Sequence, residues 1–314
     1  MTATGSDRHG VSCRRCKRHE GFVAAIAVAL ALSTTTLLFQ PSSASAQDEE
    51  EAEAADTRNI QRLEKEFTDP LTTLPQIFLQ DAYTPANYGT EAAANKVVAR
   101  AIIPRVPSFS LFPFVQLIRP SFVLNTVPTG KGHQTRTEFG DIQLFDAFML
   151  PWPSPETKLR IGVGPVFVFP SATDKAAGQG AWQVGPLLGA LYKGIPWMLA
   201  GVLIQNPISF AYTSPDRQPL STFIFQPLLL VAMPGGWYVK SADASWTVSW
   251  RHGTPTSIPV SFGVGRVWVR EGMPPLNFFV TGEWTAYRQF ARVAPQTTVR
   301  FGMTVAFPGW RPWR

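Results

Sequence analysis

Seven charged side chains lie within or next to short apolar runs of this sequence, where they could line a polar passage. They are Arg100, Arg119, Asp141, Asp243, Arg251, Glu283 and Arg300. Charged groups collected along a confined aqueous path can select solutes by charge and size. Glu283 and Arg300 fall on two successive runs, and folding one run against the other brings them within ion-pair reach. The alternative role is structural, with paired charges that hold a narrow and packed interior.

Catalytic chemistry has weaker support in the sequence. Beyond residue 46 the histidines are His133 and His252, and neither lies in a serine nucleophile motif of the Gly-x-Ser-x-Gly kind. No group of His, Cys, Asp and Glu has the spacing of metal ligands. We therefore expect no enzyme, no catalytic residue, no metal and no cofactor. A lipid hydrolase that uses a Ser/His site stays open as the alternative.

The first 46 residues have the organisation of a secretory signal peptide. Basic residues precede the apolar run 21–32, and the tripeptide 44–46, Ala-Ser-Ala, matches the small-residue cleavage pattern. Cleavage near Ala46 leaves Gln47 as the first mature residue. Both cysteines, Cys13 and Cys16, lie in this leader, so we expect no thiol chemistry in the mature chain.

The positive charge of the chain is partly a property of the leader. Five of its residues are Lys or Arg and two are acidic, so its removal lowers the formal net charge from +6 to +3. The sequence also has no basic stripe with interleaved aromatic residues. Nucleic acid is therefore not an expected partner.

From residue 73 onward, short apolar runs alternate with Gly, Pro and charged residues. Twelve runs are recognised, and they are Pro75–Tyr83, Lys96–Arg105, Leu111–Val127, Glu138–Leu150, Leu159–Phe169, Ala181–Tyr192, Trp197–Ala211, Ser221–Met233, Trp237–Arg251, Ser257–Arg270, Leu276–Tyr287 and Thr297–Phe307. Evenly spaced short strands in even number are typical of an all-β, antiparallel outer-membrane β-barrel. The predicted organisation is a signal peptide (1–46), an acidic disordered segment with a short helix (47–72), the barrel (73–307) and a tail (308–314).

The two faces of a predicted strand are clearest near the C-terminus. In the run 276–287, Thr281, Glu283, Thr285 and Tyr287 share one face, and Leu276, Phe278, Val280, Trp284 and Ala286 share the other. In the run 237–251, Ser241, Asp243, Ser245, Thr247, Ser249 and Arg251 share the polar face. A membrane explains an apolar outer face and a polar inner one.

Connectors and aromatic residues favour the same interpretation. The predicted turns on one side, such as 193–196 and 234–236, are shorter than most loops on the other, such as 171–180 and 212–220. Tyr and Trp gather near both sides: Trp152, Trp197, Trp237, Tyr238 and Trp268 near the turns, and Trp182, Tyr212, Trp250, Trp284 and Tyr287 near the loops. Two aromatic belts are expected at the two membrane interfaces.

The fifth to eighth runs are apolar on both faces, and each contains a proline. Pro165, Pro186, Pro207 and Pro227 cannot donate to a strand ladder, so we expect bulges or local breaks there. The apolar inner face of these strands suggests a path for aromatic or other hydrophobic solutes.

Four motifs carry a resemblance to a known family. They are EFGDIQ at 138–143, GVGPVFVFP at 162–170, QNPIS at 205–209 and PGGWYV at 234–239. With them, most of residues 95–307 resembles the neuromedin U-like, or meta-pathway phenol-degradation, family of bacterial outer-membrane proteins. The resemblance implies an outer-membrane transporter-like barrel and assigns no catalytic residue.

We therefore expect a transporter-like or channel-like barrel of the bacterial outer membrane that passes small solutes, aromatic or hydrophobic ones among them. A purely structural barrel with a plugged lumen is a further alternative. The expected partners are outer-membrane lipid, lipopolysaccharide, a small-molecule solute, and the barrel-assembly machinery, which would read the C-terminal strand.

Overall fold

The computed structural model describes residues 43–90, 92–104, 115–128, 134–150, 158–241, 244–251, 256–270, 272–289 and 294–310. The chain divides into two compact units, Met1–Ala55 and Asp56–Arg314. The first unit is described from Ser43 onward, where its residues are helical. The strands and the candidate site lie in the second unit.

One helix, α1 (Ser43–Thr68), precedes fifteen strand segments in the described ranges. The segments are β1 (Gln76–Tyr88), β2 (Ala94–Pro104), β3 (Val115–Pro128), β4 (Thr135–Phe139), β5 (Ile142–Met149), β6 (Leu159–Phe169), β7 (Ala181–Tyr192), β8 (Met198–Gln205), β9 (Ile208–Tyr212), β10 (Thr222–Ala232), β11 (Trp237–Ser241), β12 (Trp246–Ser249), β13 (Thr256–Trp268), β14 (Leu276–Gln289) and β15 (Ala294–Ala306). A short 3-10 turn, Pro234–Gly236, precedes β11.

The helix corrects one prediction. The acidic stretch 47–56, expected to be disordered, is part of α1, which also extends beyond the short helix predicted in 57–67. Ala and Glu dominate this stretch, and both have high helix propensity. Among the described residues, no helix combines the length and the apolar character needed to cross a membrane.

The described segments close into a barrel of twelve antiparallel strands, because three of the strands are each built from two segments: β4 with β5, β8 with β9, and β11 with β12. β1 pairs with both β2 and β15, and β8 pairs with β10, so the ladder runs all the way round. Closure gives every strand a hydrogen-bonded neighbour on both sides, which lipid cannot provide for backbone N–H and C=O groups. The predicted twelve-stranded antiparallel barrel is confirmed. We call the end where β1 begins the helix end and the opposite end the loop end.

Alternation separates an apolar outer surface from a more polar interior. On β14, Phe278 and Val280 are exposed, whereas Asn277, Thr281 and Glu283 are at most 8 % exposed. A water-soluble barrel has the reverse arrangement, and a lipid environment explains this one. Exposed aromatic residues lie at both ends: Trp197, Trp237 and Trp268 at the helix end, and Trp182, Tyr212, Trp250, Trp284 and Tyr287 at the loop end.

Three predictions about faces are wrong. Tyr287, expected on the polar inner face, is 49 % exposed, because β14 has one extra residue opposite Ile258 and Pro259, which reverses its facing there. Tyr238, expected in an aromatic belt, is fully buried in the interior and donates to Asn277 Oδ1 at 2.7 Å. Ser241 pairs with the exposed Leu229 and shares its outer face. Between β11 and β12 the chain has one more residue than the facing part of β10, so facing reverses there. Trp152 and Asp243 lie outside the described residues.

Connector lengths differ between the two ends as predicted, where the structure describes the connectors in full. At the helix end 193–197 and 233–236 are short, and at the loop end 170–180 and 213–221 are longer. The strands extend further into the predicted loops than the apolar pattern indicated, because their ends are polar.

The predicted local breaks at the prolines are confirmed. Pro207 lies in the gap between β8 and β9, and Pro186 faces that gap from β7. Near Pro165, the β5–β6 ladder skips the pairs between Phe145–Val166 and Phe148–Val163. Pro227 lies opposite the interruption between β11 and β12.

A charge on the outer face should cost most at the middle of a strand. Phe262, at the midpoint of β13, is 59 % exposed on the outside, and we expect Phe262→Arg to destabilise the barrel by about 2–4 kcal/mol. Ile258→Arg, on the same face near the loop end, should cost at most about 1 kcal/mol. Chemical unfolding from lipid vesicles measures both, and equal costs would contradict a lipid-facing wall.

Candidate functional site in the barrel interior

The interior at the helix end is apolar and filled. Inward side chains from several strands are at most 2 % exposed; they are Leu117, Leu191, Leu199, Leu230, Tyr238 and Val267. They form one buried cluster with Leu63 and Phe67 of α1 and with Leu71 just after it. We call the segment Asp56–Leu74 the plug segment. The leucines that made the fifth to eighth strands apolar on both faces therefore pack, at this end, against the plug segment.

A pair of glycines makes room for the plug segment. Gly162 of β6 and Gly189 of β7 are directly paired and both face Leu71. A Cβ on Gly162 would lie 2.9 Å from Leu71 Cδ2, and one on Gly189 would lie 2.8 Å from Leu71 Cδ1. The docked position of Leu71 thus requires residues without side chains.

Four charged groups fix the plug segment to the wall. Asp69 Oδ2 accepts from Arg160 Nη1 at 2.7 Å and lies 2.5 Å from Lys193 Nζ. Glu66 Oε1 lies 2.9 Å from Lys193 Nζ and 3.5 Å from Arg160 Nη2, and Thr72 donates to Glu66. The carboxylates belong to the plug segment and the cations to the barrel, so the pairing sets the depth of docking. Removing one partner would leave a buried charge uncompensated, which is costly.

The plug segment also contains a buried carboxyl group with a perturbed pKa. Glu64 is fully buried, and neither of its oxygens has a hydrogen-bond partner among the described residues. Burial raises the pKa of Glu64 to about 7, opposed by the positive charge of Lys65. Burial lowers the pKa of Lys65, and Lys193 adds to this. Burial alone would raise the pKa of Glu66, but Lys193 and Arg160 outweigh it and lower that pKa.

Two polar cavities occupy the interior beyond the plug segment. The first, about 450 Å³, reaches from Asp69 and Pro70 to Asp141 near the loop end. The second, about 440 Å³, lies against β1, β2, β14 and β15. Five residues line both: Lys96, Arg100, Gln226, Ser245 and Thr247. The cavities therefore adjoin at a wall that carries two cations.

Charged groups line the second cavity in one cluster. Arg300 donates to both carboxylate oxygens of Glu283, at 2.6 and 3.0 Å, so the predicted ion pair is confirmed. Lys96 has Arg100, Arg300 and Glu283 as its charged neighbours. Among the described residues that line this cavity, the charged ones are therefore three cations, Lys96, Arg100 and Arg300, and one carboxylate, Glu283.

Several interior cations lie over aromatic rings. Arg100 is 5.0 Å from the ring centre of Phe78, which stacks on Phe279 at 5.9 Å. Lys240 lies over the other face of this pair, 3.4 Å from the centre of Phe279. Arg119 lies 3.9 Å from the centre of Phe145. Such contacts stabilise positive charge inside the barrel.

Asp141 organises the loop end of the interior. It lies in the bulge between β4 and β5 and accepts from the backbone N–H groups of Ala172 and Gln179, at 3.2 and 2.6 Å. Asn125 donates to Ala177 O of the same loop at 2.8 Å. Ala177, with its neighbours 178 and 179, lines the first cavity, so this loop narrows the interior from the loop end.

The structure brings five of the seven predicted residues into one interior. Arg119 and Asp141 line the first cavity, Glu283 and Arg300 the second, and Arg100 both. Arg251 is exposed at the loop end, just after β12, and lines neither cavity. Asp243, like His133 and His252 of the hydrolase alternative, lies outside the described residues. Within the described part of the chain, no cluster of His, Cys, Asp and Glu could hold a metal ion.

Two interior cations, Lys96 and Lys240, are not among the seven residues predicted from the sequence. Lys96 is four residues before Arg100 on β2 and therefore shares its face, so the period of two could have found it. Lys240 faces inward because of the irregular strand formed by β11 and β12, for which the sequence has no clear signal.

The fold and its interior define a closed, twelve-stranded antiparallel barrel of the outer-membrane type, with a segment docked at one end. Among solved structures, the chain is similar to an outer membrane channel from Pseudomonas putida F1, with a TM-score of 0.54 and 10 % identity over 76 % of this chain and 98 % of that one. The NanC porin matches with a TM-score of 0.47 and 10 % identity, over 74 % of this chain and 98 % of that one. At such identity the likeness concerns the fold alone. No family model matches, and no curated protein matches, so the resemblance to the neuromedin U-like family gains no support there.

Docking of the plug segment should depend on pH through Glu64. Its pKa is higher in the docked segment, about 7 against an ordinary 4.5, so docking takes up a proton. Through Glu64, docking should be stronger at pH 5 than at pH 8 and should weaken as the pH rises through about 7. We expect amides 60–71 to lose hydrogen-exchange protection between pH 5 and pH 8, after correction for intrinsic rates.

Glu64→Gln should keep the protection nearly constant over that range, because the amide cannot ionise. Glu53→Gln, at an exposed position of α1, is the matched control and should behave as the wild type. If the wild type and Glu64→Gln respond to pH alike, Glu64 does not control docking.

Proposed function

We propose that this protein is a channel of the bacterial outer membrane for small solutes, which pass through the barrel interior. The observation that carries the proposal is the pair of adjoining polar cavities inside a barrel with an apolar outer face. We also propose, from the sequence motifs, that the chain is a member of the neuromedin U-like family. No step of the proposed function is enzymatic.

The solutes of the proposed channel are polar. Glutamine, hydroxyl and guanidinium groups line the cavities, among them Arg119, Gln143, Gln205 and Gln226. The inward leucines that suggested a path for hydrophobic solutes are in contact with the plug segment at the helix end. A hydrophobic or aromatic solute would follow that route only after the plug segment leaves.

The location in the outer membrane is part of the same proposal. The leader would direct secretion and be cleaved near Ala46. The barrel-assembly machinery would recognise the C-terminal strand, β15. Loops at the loop end would then face lipopolysaccharide, and the plug segment would face the periplasm.

The plug segment acts as the gate of the proposed channel. It fills the interior at the helix end, and its hold depends on the glycine pair under Leu71 and on the ion cluster of Asp69. Opening requires the segment to move away from the wall, which exposes the apolar cluster. The closed state is therefore favoured, and open periods should be brief.

Single-channel recording in planar bilayers tests the channel and its gate together. The wild type should give discrete but infrequent current steps. Gly189→Leu should raise the open fraction at least about tenfold, because its side chain and Leu71 cannot occupy the same space.

Gly282→Leu is the matched control, since a side chain at this position on the outer face of β14 has no atom within 4 Å to meet. It should record as the wild type. Silence of both the wild type and Gly189→Leu would contradict a channel, and equal open fractions in Gly189→Leu and Gly282→Leu would contradict the gate.

A further inference from the structure

The cation cluster beside the second cavity has the arrangement of an anion site. Lys96 on β2, Ala82 on β1 and Arg300 on β15 are direct cross-strand partners in one row, and they share the inner face. Two strand spacings separate Lys96 from Arg300, or roughly 10 Å between backbones. The residue between them has only a methyl side chain, so space is left above it, and that space belongs to the second cavity.

Arg300 and Lys96, the two cations of this row, differ in how strongly their side chains are held. The Arg300 guanidinium is held by Glu283 through two hydrogen bonds, and both side chains are at most 14 % exposed. The Lys96 side chain is exposed, although it lies inside the barrel wall, so it is accessible from the cavities. Arg100 is four residues from Lys96 on β2, so it lies on the same face, and it lines both cavities as well.

Cations outnumber carboxylates among the described residues that line this confined space, and this arrangement attracts anions. Low-dielectric walls focus the field of such a cluster into the cavity. Rings of Arg and Lys serve this purpose in anion-conducting pores. Hydroxyl groups of Thr247 and Ser257 line the same cavity and can donate to the oxygens of a bound ligand.

The ligand that fits this arrangement carries two negative groups a few ångströms apart. One carboxylate would meet the Lys96 ammonium group and the other the guanidinium of Arg100 or the outer edge of Arg300. A cavity of about 440 Å³ holds a molecule of four to six carbon atoms with its water.

We propose that the row of Lys96, Ala82 and Arg300, together with Arg100, is a binding site for small organic dicarboxylates. This inference rests on the proposed function, because the site lies on the wall that adjoining cavities share. It adds to that function the class of solute that the channel binds.

Isothermal titration calorimetry on the purified full chain in detergent tests the site directly. Succinate is the probe, succinamide is its uncharged counterpart of the same shape, and inorganic phosphate is a compact divalent anion. Succinate should bind, and succinamide should give no heat of binding. Lys96→Gln should weaken succinate binding at least about tenfold, because it removes one charge-assisted contact.

Lys175→Gln is the matched control, since it removes the same charge from an exposed loop position, where Lys175 pairs with Asp216. It should bind succinate as the wild type does. Lys96→Gln should fold at least as stably as the wild type, because it relieves repulsion within a cluster of excess positive charge, and heat-dependent electrophoretic mobility measures this.

Three results would overturn the site: succinamide binding as well as succinate, phosphate binding as tightly as succinate, or Lys96→Gln retaining affinity within twofold. The planar-bilayer recordings separate this inference from the proposed function. Current steps without succinate binding would refute the site and keep the channel, and succinate binding without current steps would keep the site and refute the channel.

Discussion

The period of two along each strand is the constraint on which this molecule depends. Lipid offers backbone groups no hydrogen-bond partners, so the strands must close on one another, and every residue then faces either lipid or the interior. One extra residue in a strand reverses the facing of all that follows. The bulge between β4 and β5 does this: Phe139 is 62 % exposed outside, whereas Asp141, two residues later, lines the interior.

The interior has two environments, an apolar one at the helix end and a polar one in the rest of the barrel. Inward leucines at the helix end would be exposed in an empty lumen, and burying each against the plug segment stabilises docking by about 1.5–3 kcal/mol. Charged groups cannot supply a similar gain, because their desolvation offsets much of their attraction. The apolar contacts therefore give the plug segment its affinity, and the cluster of Asp69, Arg160 and Lys193 gives it one position.

How far the sequence predicts this arrangement depends on how many environments a strand meets. β14 and β15 contribute only Phe279 and Ala306 to the buried apolar cluster and otherwise meet lipid or the polar interior, so alternation predicted most of their faces and the pair of Glu283 and Arg300. β6 to β10 also meet the plug segment, which comes from far earlier in the chain, and no local pattern reveals that contact. Tyr238 and Ser241 were misplaced because a single inserted residue leaves no trace in composition.

The position of the positive charge follows from the same division. Cations near the plug segment are neutralised by its carboxylates, and Asp141 at the loop end is occupied by backbone N–H groups. Lys96 and Arg100 lie between these two regions, in the middle of the barrel, where the two cavities adjoin. In the proposed channel, a solute that crosses from one cavity to the other would pass these two side chains, and their positive charge would favour anions.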